Sequence, residues 1–238
     1  MRRRRLAGSG SHGKVIDLEQ AMSLFADGGS FLFGGFGSIG TPPLLIEGLL
    51  AKGVRGLTII GNDAGYPSHG VGRLISAGRV ARAVVSHIGS NPMAIEQMNA
   101  GTLSIEFVPQ GTLAERIRAG GAGLGGILVD VGMGTEVEEG KRTVVVDGRP
   151  YMLEPAIRAP LAIVLADVAD AYGNLRYRGT ARNFNPLVAM AADVVIAEAR
   201  ELVPAGTLDP DSVHTPGAFV DYVLPGSPRP AGVPAPKT

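Results

Sequence analysis

Cysteine is missing from all 238 residues, and that single absence removes disulfides, thiolate metal sites and a cysteine nucleophile together. A reducing cytoplasm is the compartment that fits. Net charge is missing too, with 22 basic against 22 acidic side chains, which argues against an electrostatic binder of nucleic acid or of a membrane surface. No stretch approaches the roughly 20 apolar residues that span a bilayer. Histidine is scarce. His12, His69, His87 and His214 form no i, i+4 pair and no cluster with other ligands, so no metal site is expected.

What is present is a globular composition, 45% hydrophobic and 18% charged, at a length that suits one large α/β domain burying roughly 70% of its unfolded surface. Met1 to Arg5 is basic, but Leu6 to Lys14 is Gly/Ser-rich and lacks the apolar core of an export signal. Residues 1–14 are therefore expected to be a disordered extension. Pro225 to Thr238 carries five prolines and is expected to be a loose tail, leaving 15–224 as the domain.

Inside those limits short apolar runs alternate with amphipathic stretches. Asp17 with Gln20 three residues on predicts a helix N-cap, the helix ending near Ala26 before Asp27-Gly28-Gly29. Ser30 to Phe33 is then a strand. Pro42 and Pro43 suit the first turn of a helix through Lys52, with Gly53 past its end. The alternation continues with strands at 57–60, 81–85 and 104–108 and helices at 71–77, 93–100 and 113–119. Strands separated by such helices imply right-handed βαβ crossovers and a mainly parallel sheet. After Gly120 the rhythm changes: Thr143 to Val146 and Tyr151 to Leu153 flank Asp147-Gly148, a hairpin turn. Further strands follow at 161–166 and 194–197. The expected fold is one α/β domain with flanking helices and an antiparallel hairpin excursion.

Open α/β sheets bind ligands at the carboxyl ends of their strands. Here those ends read Gly34-Gly35-Phe36-Gly37-Ser38-Ile39-Gly40, Gly61-Asn62-Asp63-Ala64-Gly65, Ser86-His87-Ile88-Gly89-Ser90-Asn91 and Pro109-Gln110-Gly111. Glycines let backbone approach a ligand, and Asn and Gln amides donate and accept without a charge that needs pairing. Such loops suit a thioester, an amide-rich pantetheine arm or a carboxylate. Gly35 to Gly40 also satisfies G-x-G-x-x-G, with Asp63 near the place of a ribose-binding acid. Against a dinucleotide enzyme, Pro42 and Pro43 delay the helix until all three glycines lie in the loop. Ser86 beside His87 does not make a catalytic pair, because neighbours on a strand point to opposite faces.

The segment Asp27 to Pro42 resembles the signature of the alpha subunits of type I (3-oxoacid) CoA-transferases. Val108-Pro109-Gln110-Gly111-Thr112-Leu113 and Ala181-Arg182-Asn183-Phe184-Asn185-Pro186 extend the resemblance over about 15–224. Ser86 to Pro92 and Gly120 to Gly126 look closest to acetate and butyrate-acetoacetate enzymes, with 3-oxoadipate and succinate enzymes as further substrate classes.

The resemblance implies a fold shared with sugar-phosphate isomerases and a ping-pong reaction through a glutamyl-CoA thioester. CoA and acyl-CoA would be substrates, and no permanently bound cofactor is implied. It also implies an αβ or α2β2 assembly, because the nucleophilic glutamate of the family belongs to the beta subunit. None of the eleven glutamates here lies in a Gly-rich loop after a strand, so no catalytic nucleophile is expected in this chain. By carry-over, Gly34, Gly35, Phe36, Gly37, Ser38, Ile39 and Gly40 would cradle the CoA arm through their backbone. Gln110 would place its amide beside the partner's glutamate, and Asn62 would help shape the acyl pocket. Two places depart from the family pattern: Val129-Asp130-Val131-Gly132 stands for Thr-Pro-Thr-Gly, and Leu165 and Val168 stand where relatives carry basic residues. A non-catalytic binding protein of the same fold remains the reading from another class.

Overall fold

A computed structural model describes residues 13–37 and 39–226. The chain opens with α1 (Leu18–Met22), whose Asp17 carboxylate accepts from the Gln20 amide at 2.8 Å while the Gln20 side chain accepts from the Asp17 amide. This reciprocal cap is the one the sequence predicts. The helix is shorter than expected, because after Met22 the backbone tightens into turns that carry Phe25 into the core, edge-on to Phe31.

Four β–α repeats follow: β1 (Ser30–Phe33), α2 (Pro43–Lys52), β2 (Leu57–Ile60), α3 (Gly72–Ser76), β3 (Val80–Val85), α4 (Pro92–Asn99), β4 (Ser104–Phe107) and α5 (Gln110–Gly121). Pro43 starts α2 and Gly53 ends it in a left-handed cap at φ 77°. The excursion is a separate antiparallel sheet of β5 (Gly126–Val129), β6 (Thr143–Val146) and β7 (Arg149–Pro155), in the order β5-β7-β6. Asp147 and Gly148 both have positive φ, 49° and 77°, as a tight hairpin turn of this kind requires. The chain then returns through β8 (Ala159–Asp170), β9 (Leu175–Arg176), α6 (Asn185–Met190), β10 (Ala192–Val203) and β11 (Tyr222–Pro225).

The main sheet runs β11-β10-β8-β1-β2-β3-β4, with β9 folded antiparallel onto β8. Every neighbouring pair along that path is parallel. Side chains of β1 alternate between faces: Phe31 and Phe33 join Leu45, Leu49, Leu74 and Ile75 beneath α1 to α4. Leu32 points the other way, toward Leu113, Ile117 and Val188 of α5 and α6. The result is helices on both faces of one sheet. Lys14 and Pro225, which the sequence places in the flanking segments, meet this sheet: the Lys14 carbonyl accepts from the Val223 amide of β11 at 2.8 Å while its side chain donates to the carbonyls of Gly217 and Val220 in the turn before β11, and Pro225 pairs with Ala199.

β1 sits at the reversal of the topology. From it the chain steps outward through β2, β3 and β4, and β8, β10 and β11 fill the other side. In an open α/β sheet the crevice at that reversal is the natural binding place.

Candidate functional site

The carboxyl end of β1 opens into the glycine loop, and its shape follows from two asparagines brought to it by the start of α6 and the turn before it. Asn185 is fully buried, and its Oδ1 accepts from the Leu165 amide of β8 at 3.0 Å. Its Nδ2 donates to the carbonyls of Gly40 and Ala181. A Cβ on Gly34 would lie 1.8 Å from that Oδ1, so glycine is required there by closeness alone. Asn183 completes the brace, accepting from the Gly35 amide at 3.0 Å and donating to the Ile39 carbonyl at 2.9 Å.

Within the loop Phe36 and Ile39 exchange both backbone hydrogen bonds, forming a miniature hairpin. Gly37 stands at its tip with φ 59°. Its amide donates to Asp63 Oδ2 at 2.7 Å. Together with the Gly34 amide, which donates to Ile163 O, the N–H groups of Gly34, Gly35, Phe36, Gly37 and Ile39 are all occupied inside the protein. Those five amides are therefore not free for the expected cradle, and among the described residues of the loop the side chains of Phe36 and Ile39 are 54% and 50% exposed. Ser38 lies outside the described residues.

The second strand end contributes Asn62 and Asp63, which are 2% and 4% exposed. Asp63 accepts three hydrogen bonds, from Gly37 N, from Gly65 N at 2.7 Å and from Asn62 Nδ2 at 2.6 Å. A carboxylate so occupied is not free to hold a ribose hydroxyl, and α2 begins only after all three glycines. Both facts oppose the dinucleotide alternative. Ser86 donates its hydroxyl to the Asn62 carbonyl at 2.7 Å, which gives it a bracing role and leaves the exposed His87 ring without it.

Gln110 comes from the fourth strand end, where it is the first residue of α5 and exposed. Its Nε2 donates to Asn62 Oδ1 at 2.6 Å. The structure thus brings together the glycine loop, Asn62 and Gln110, and places Asn62 beneath Gln110 instead of on an open pocket wall. Sequence reasoning gave Asp63 only the rejected ribose role, and it gave Asn183 and Asn185 none. The available signal was the Asn-Phe-Asn-Pro quartet, whose amides could brace a loop as readily as bind a ligand.

Around these polar groups the strand ends expose apolar side chains: Tyr66 after β2 at 44% and Phe107 at the end of β4 at 50%, beside Phe36 and Ile39. Leu165 and Val168, which stand where relatives carry basic residues, are 4% and 2% exposed. They are core positions of β8. Asp130 is exposed just past β5 of the small sheet. Among the described residues no three of His, Asp and Glu converge as metal ligands, and no helix is long and apolar enough to cross a membrane.

The chain is a three-layer α/β fold whose glycine- and amide-bearing strand-end loops gather at the topological reversal, and family comparison specifies the class. Residues 15–225 match the family model described as Coenzyme A transferase; the chain belongs to that family. It is 49% identical over 211 residues to the alpha subunit of the acetate CoA-transferase of Escherichia coli K12, covering 89% of this chain and 96% of that one. The acetoacetyl-CoA:acetate/butyrate CoA transferase alpha subunit of Clostridium acetobutylicum is 44% identical, with 89% and 97% covered. The corresponding chain of a probable succinyl-CoA:3-ketoacid coenzyme A transferase of Bacillus subtilis is 46% identical, with 90% and 91% covered. Among solved structures, an acyl-CoA transferase of Escherichia coli O157:H7 in a thioester complex with CoA superposes with a TM-score of 0.79 at 24% identity. The match covers 94% of this chain and 48% of that one. The likeness is one of fold, and this chain spans about half of that longer polypeptide.

Proposed function

We propose that this chain is the alpha subunit of a heteromeric CoA-transferase. It would move CoA between a short-chain acyl-CoA, such as acetyl- or butyryl-CoA, and a carboxylic acid such as acetoacetate. The observation that carries the reading is the makeup of the carboxyl edge. Its loops supply amides, glycines and exposed aromatic rings, and all eleven glutamates stand elsewhere. Glu19, Glu47, Glu96 and Glu115 lie on helices, and Glu136, Glu138 and Glu139 on the turn after β5. Glu106 is paired with Arg82 and Arg116, and Glu154 with Lys141 and Arg116. Glu198 is buried beneath the start of α2, and Glu201 is exposed on β10. A half-site of this kind needs a nucleophile from a second chain, and relatives covered almost end to end are named as alpha subunits.

In this reading a glutamate oxygen of the partner beta chain attacks the acyl carbonyl, the C–S bond breaks and CoA leaves as thiolate, giving an acyl-glutamyl anhydride. The thiolate then attacks the glutamyl carbonyl, releasing the first acid as carboxylate and leaving a glutamyl-CoA thioester. The acceptor carboxylate repeats both steps in reverse. The part of this chain is to position. Gln110 directs an amide N–H at the developing oxyanion or the partner carboxylate, Phe36 and Ile39 cover the CoA arm or the partner, and Asn62 holds Gln110. CoA is a substrate throughout, and the reaction requires no resident cofactor. The cytoplasm is the compartment this reaction assigns. Succinyl-CoA as donor is the second reading, favoured by the Bacillus subtilis relative.

The test is reconstitution. Purified alone, the chain is expected to transfer no CoA between acetyl-CoA and acetoacetate, and to gain activity on mixing with its beta partner. Borohydride applied after acyl-CoA reduces a glutamyl thioester; mass spectrometry should find that reduction on the beta chain only. Reduction of a glutamate in this chain, or comparable turnover without a partner, would overturn the half-site. Rates with acetyl-, butyryl- and succinyl-CoA separate the two donor readings.

A further inference from the structure

Every ligand of a carboxylate must be a donor, because an ionised carboxylate has only acceptor positions. With Asp63 Oδ2 facing it at 2.6 Å, the side chain of Asn62 must therefore turn its NH2 toward Asp63. Its Oδ1 is then left on the opposite side, where it accepts from Gln110 Nε2, also at 2.6 Å. Gln110 is obliged in turn to point its NH2 inward, keeping Oε1 and the remaining N–H for whatever lies above it. An amide in place of Asp63 could not impose this order, since an amide both donates and accepts. The same carboxylate holds the tip of the glycine loop through Gly37 N and the following turn through Gly65 N. Ser86, donating to the Asn62 carbonyl, keeps the strand end in place beneath the relay.

We propose that Asp63 is the positioning residue of this site: it fixes which atoms Gln110 presents to the reacting groups and ties that choice to the conformation of the glycine loop. The inference rests on the half-site reading and deepens it. Asp63 is 4% exposed and Asn62 2%, so the relay acts from below and neither side chain need touch substrate. A single carboxylate couples two parts of the site that lie on different strand ends. Removing both carboxylate oxygens affects both parts, whereas loss of Asn62 affects only the Gln110 branch.

An Asn at position 63 has one oxygen for the two places where Asp63 accepts. Its NH2 would face either Gly65 N or the pair formed by Gly37 N and Asn62 Nδ2, and Asn62 and Gln110 can relieve the second conflict only by inverting. The experiment uses the enzyme reconstituted with its beta subunit, with acetyl-CoA and acetoacetate as substrates, and compares wild type, Asp63→Asn, Asp63→Ala, Asn62→Ala, Gln110→Ala and the doubles with Gln110→Ala. Asp63→Asn and Asp63→Ala are each expected to lose roughly tenfold or more in kcat, the scale of a misplaced oxyanion donor, and to raise KM for acetyl-CoA. Asn62→Ala should lower kcat with KM near wild type. In each double the cost should stay within about twofold of Gln110→Ala alone, because residues acting as one unit are not additive. A kcat near wild type for Asp63→Ala, which removes both acceptor oxygens, or costs that multiply in the doubles, would overturn the relay while leaving the half-site standing. If Gln110→Ala itself turns over normally, the site reading falls and the relay with it. Should Asp63→Ala fail to assemble, the Asn62→Ala and Gln110→Ala cycle decides alone, full coupling supporting the relay and additivity refuting it.

Discussion

Glu198 gives the fold a pH dependence whose sign and size can be worked out from its surroundings. It lies on β10, fully buried, and its Oε2 accepts from the Leu45 amide at 3.1 Å in the first turn of α2. That helix has proline at its N-cap and no side-chain cap of its own, so Glu198 supplies from 153 residues away what a local cap would supply. Burial pushes its carboxyl up to about 7, against the opposing pull of the Leu45 and Leu44 amides and of Arg200. Oε1 is buried without a hydrogen-bond partner among the described residues, consistent with desolvation prevailing. For an acid raised in the folded state, the folded chain holds more protons than the unfolded one between the two values, and stability falls as pH rises through that window. The rise from 4.5 to about 7 corresponds to a loss of about 3 kcal/mol, complete above pH 7 and nearly absent below 4.5. Glu198→Gln keeps the acceptor for Leu45 and removes the charge. Melted in complex with the beta subunit, it should run close to wild type at pH 5 and roughly 5–10 °C above it at pH 8. Parallel melting curves across pH, or a Gln variant less stable throughout, would refute the reasoning.

Gly37→Val places a β-branched side chain at φ 59° with its Cβ 3.3 Å from the Tyr66 ring; the expected result is a raised KM for acyl-CoA in an enzyme that still assembles, read by steady-state kinetics. Gly34→Ala must displace Asn185 and its bonds to Leu165, Gly40 and Ala181, so the expected loss is about 2–4 kcal/mol of stability, read by thermal unfolding. Gln110→Ala should lower turnover on the order of 100-fold, or about 3 kcal/mol, with melting near wild type; a bracing role alone would reverse that pattern.

The β–α alternation was legible because β1, β2 and β3 close on apolar runs stopped by glycine or a polar residue, and several helices announce an end. Asp17 with Gln20, Pro43 and Gly53 mark boundaries through local chemistry. Where the boundary is set by distant partners the pattern gave less. β8 and β10 extend to Asp170 and Val203 because they pair with each other over their whole length, although Asp167 and Glu201 interrupt the apolar run. α6 was hidden inside the Asn-Phe-Asn-Pro quartet, and β5 behind the glycines at 120–126. The site shows the same division. Strand-end loops could be located from sequence, and their residues named. Which amides face ligand and which are already occupied depends on Asn183, Asn185 and Asp63, whose partners lie as much as 148 residues away, and no spacing rule encodes that.

The electrostatics of the edge follow from what its chemistry must tolerate. In the proposed reaction a glutamate carboxylate attacks the acyl-CoA and an acid carboxylate attacks the glutamyl-CoA thioester, and a further carboxylate brought beside either would repel it and raise its proton affinity. A half-site that added an unpaired carboxylate would disfavour both. Asp63, the acidic side chain that follows β2, instead faces three donors and lies 4% exposed beneath Asn62 and Gln110. Its charge is turned into orientation of neutral amides, which donate to an oxyanion without forming a competing ion pair with the substrate acid. The exposed rings of Phe36 and Tyr66 on the loops after β1 and β2 offer apolar surface that, in the proposed assembly, a partner chain covers to exclude water, since fixed N–H dipoles gain strength only once the surrounding dielectric falls.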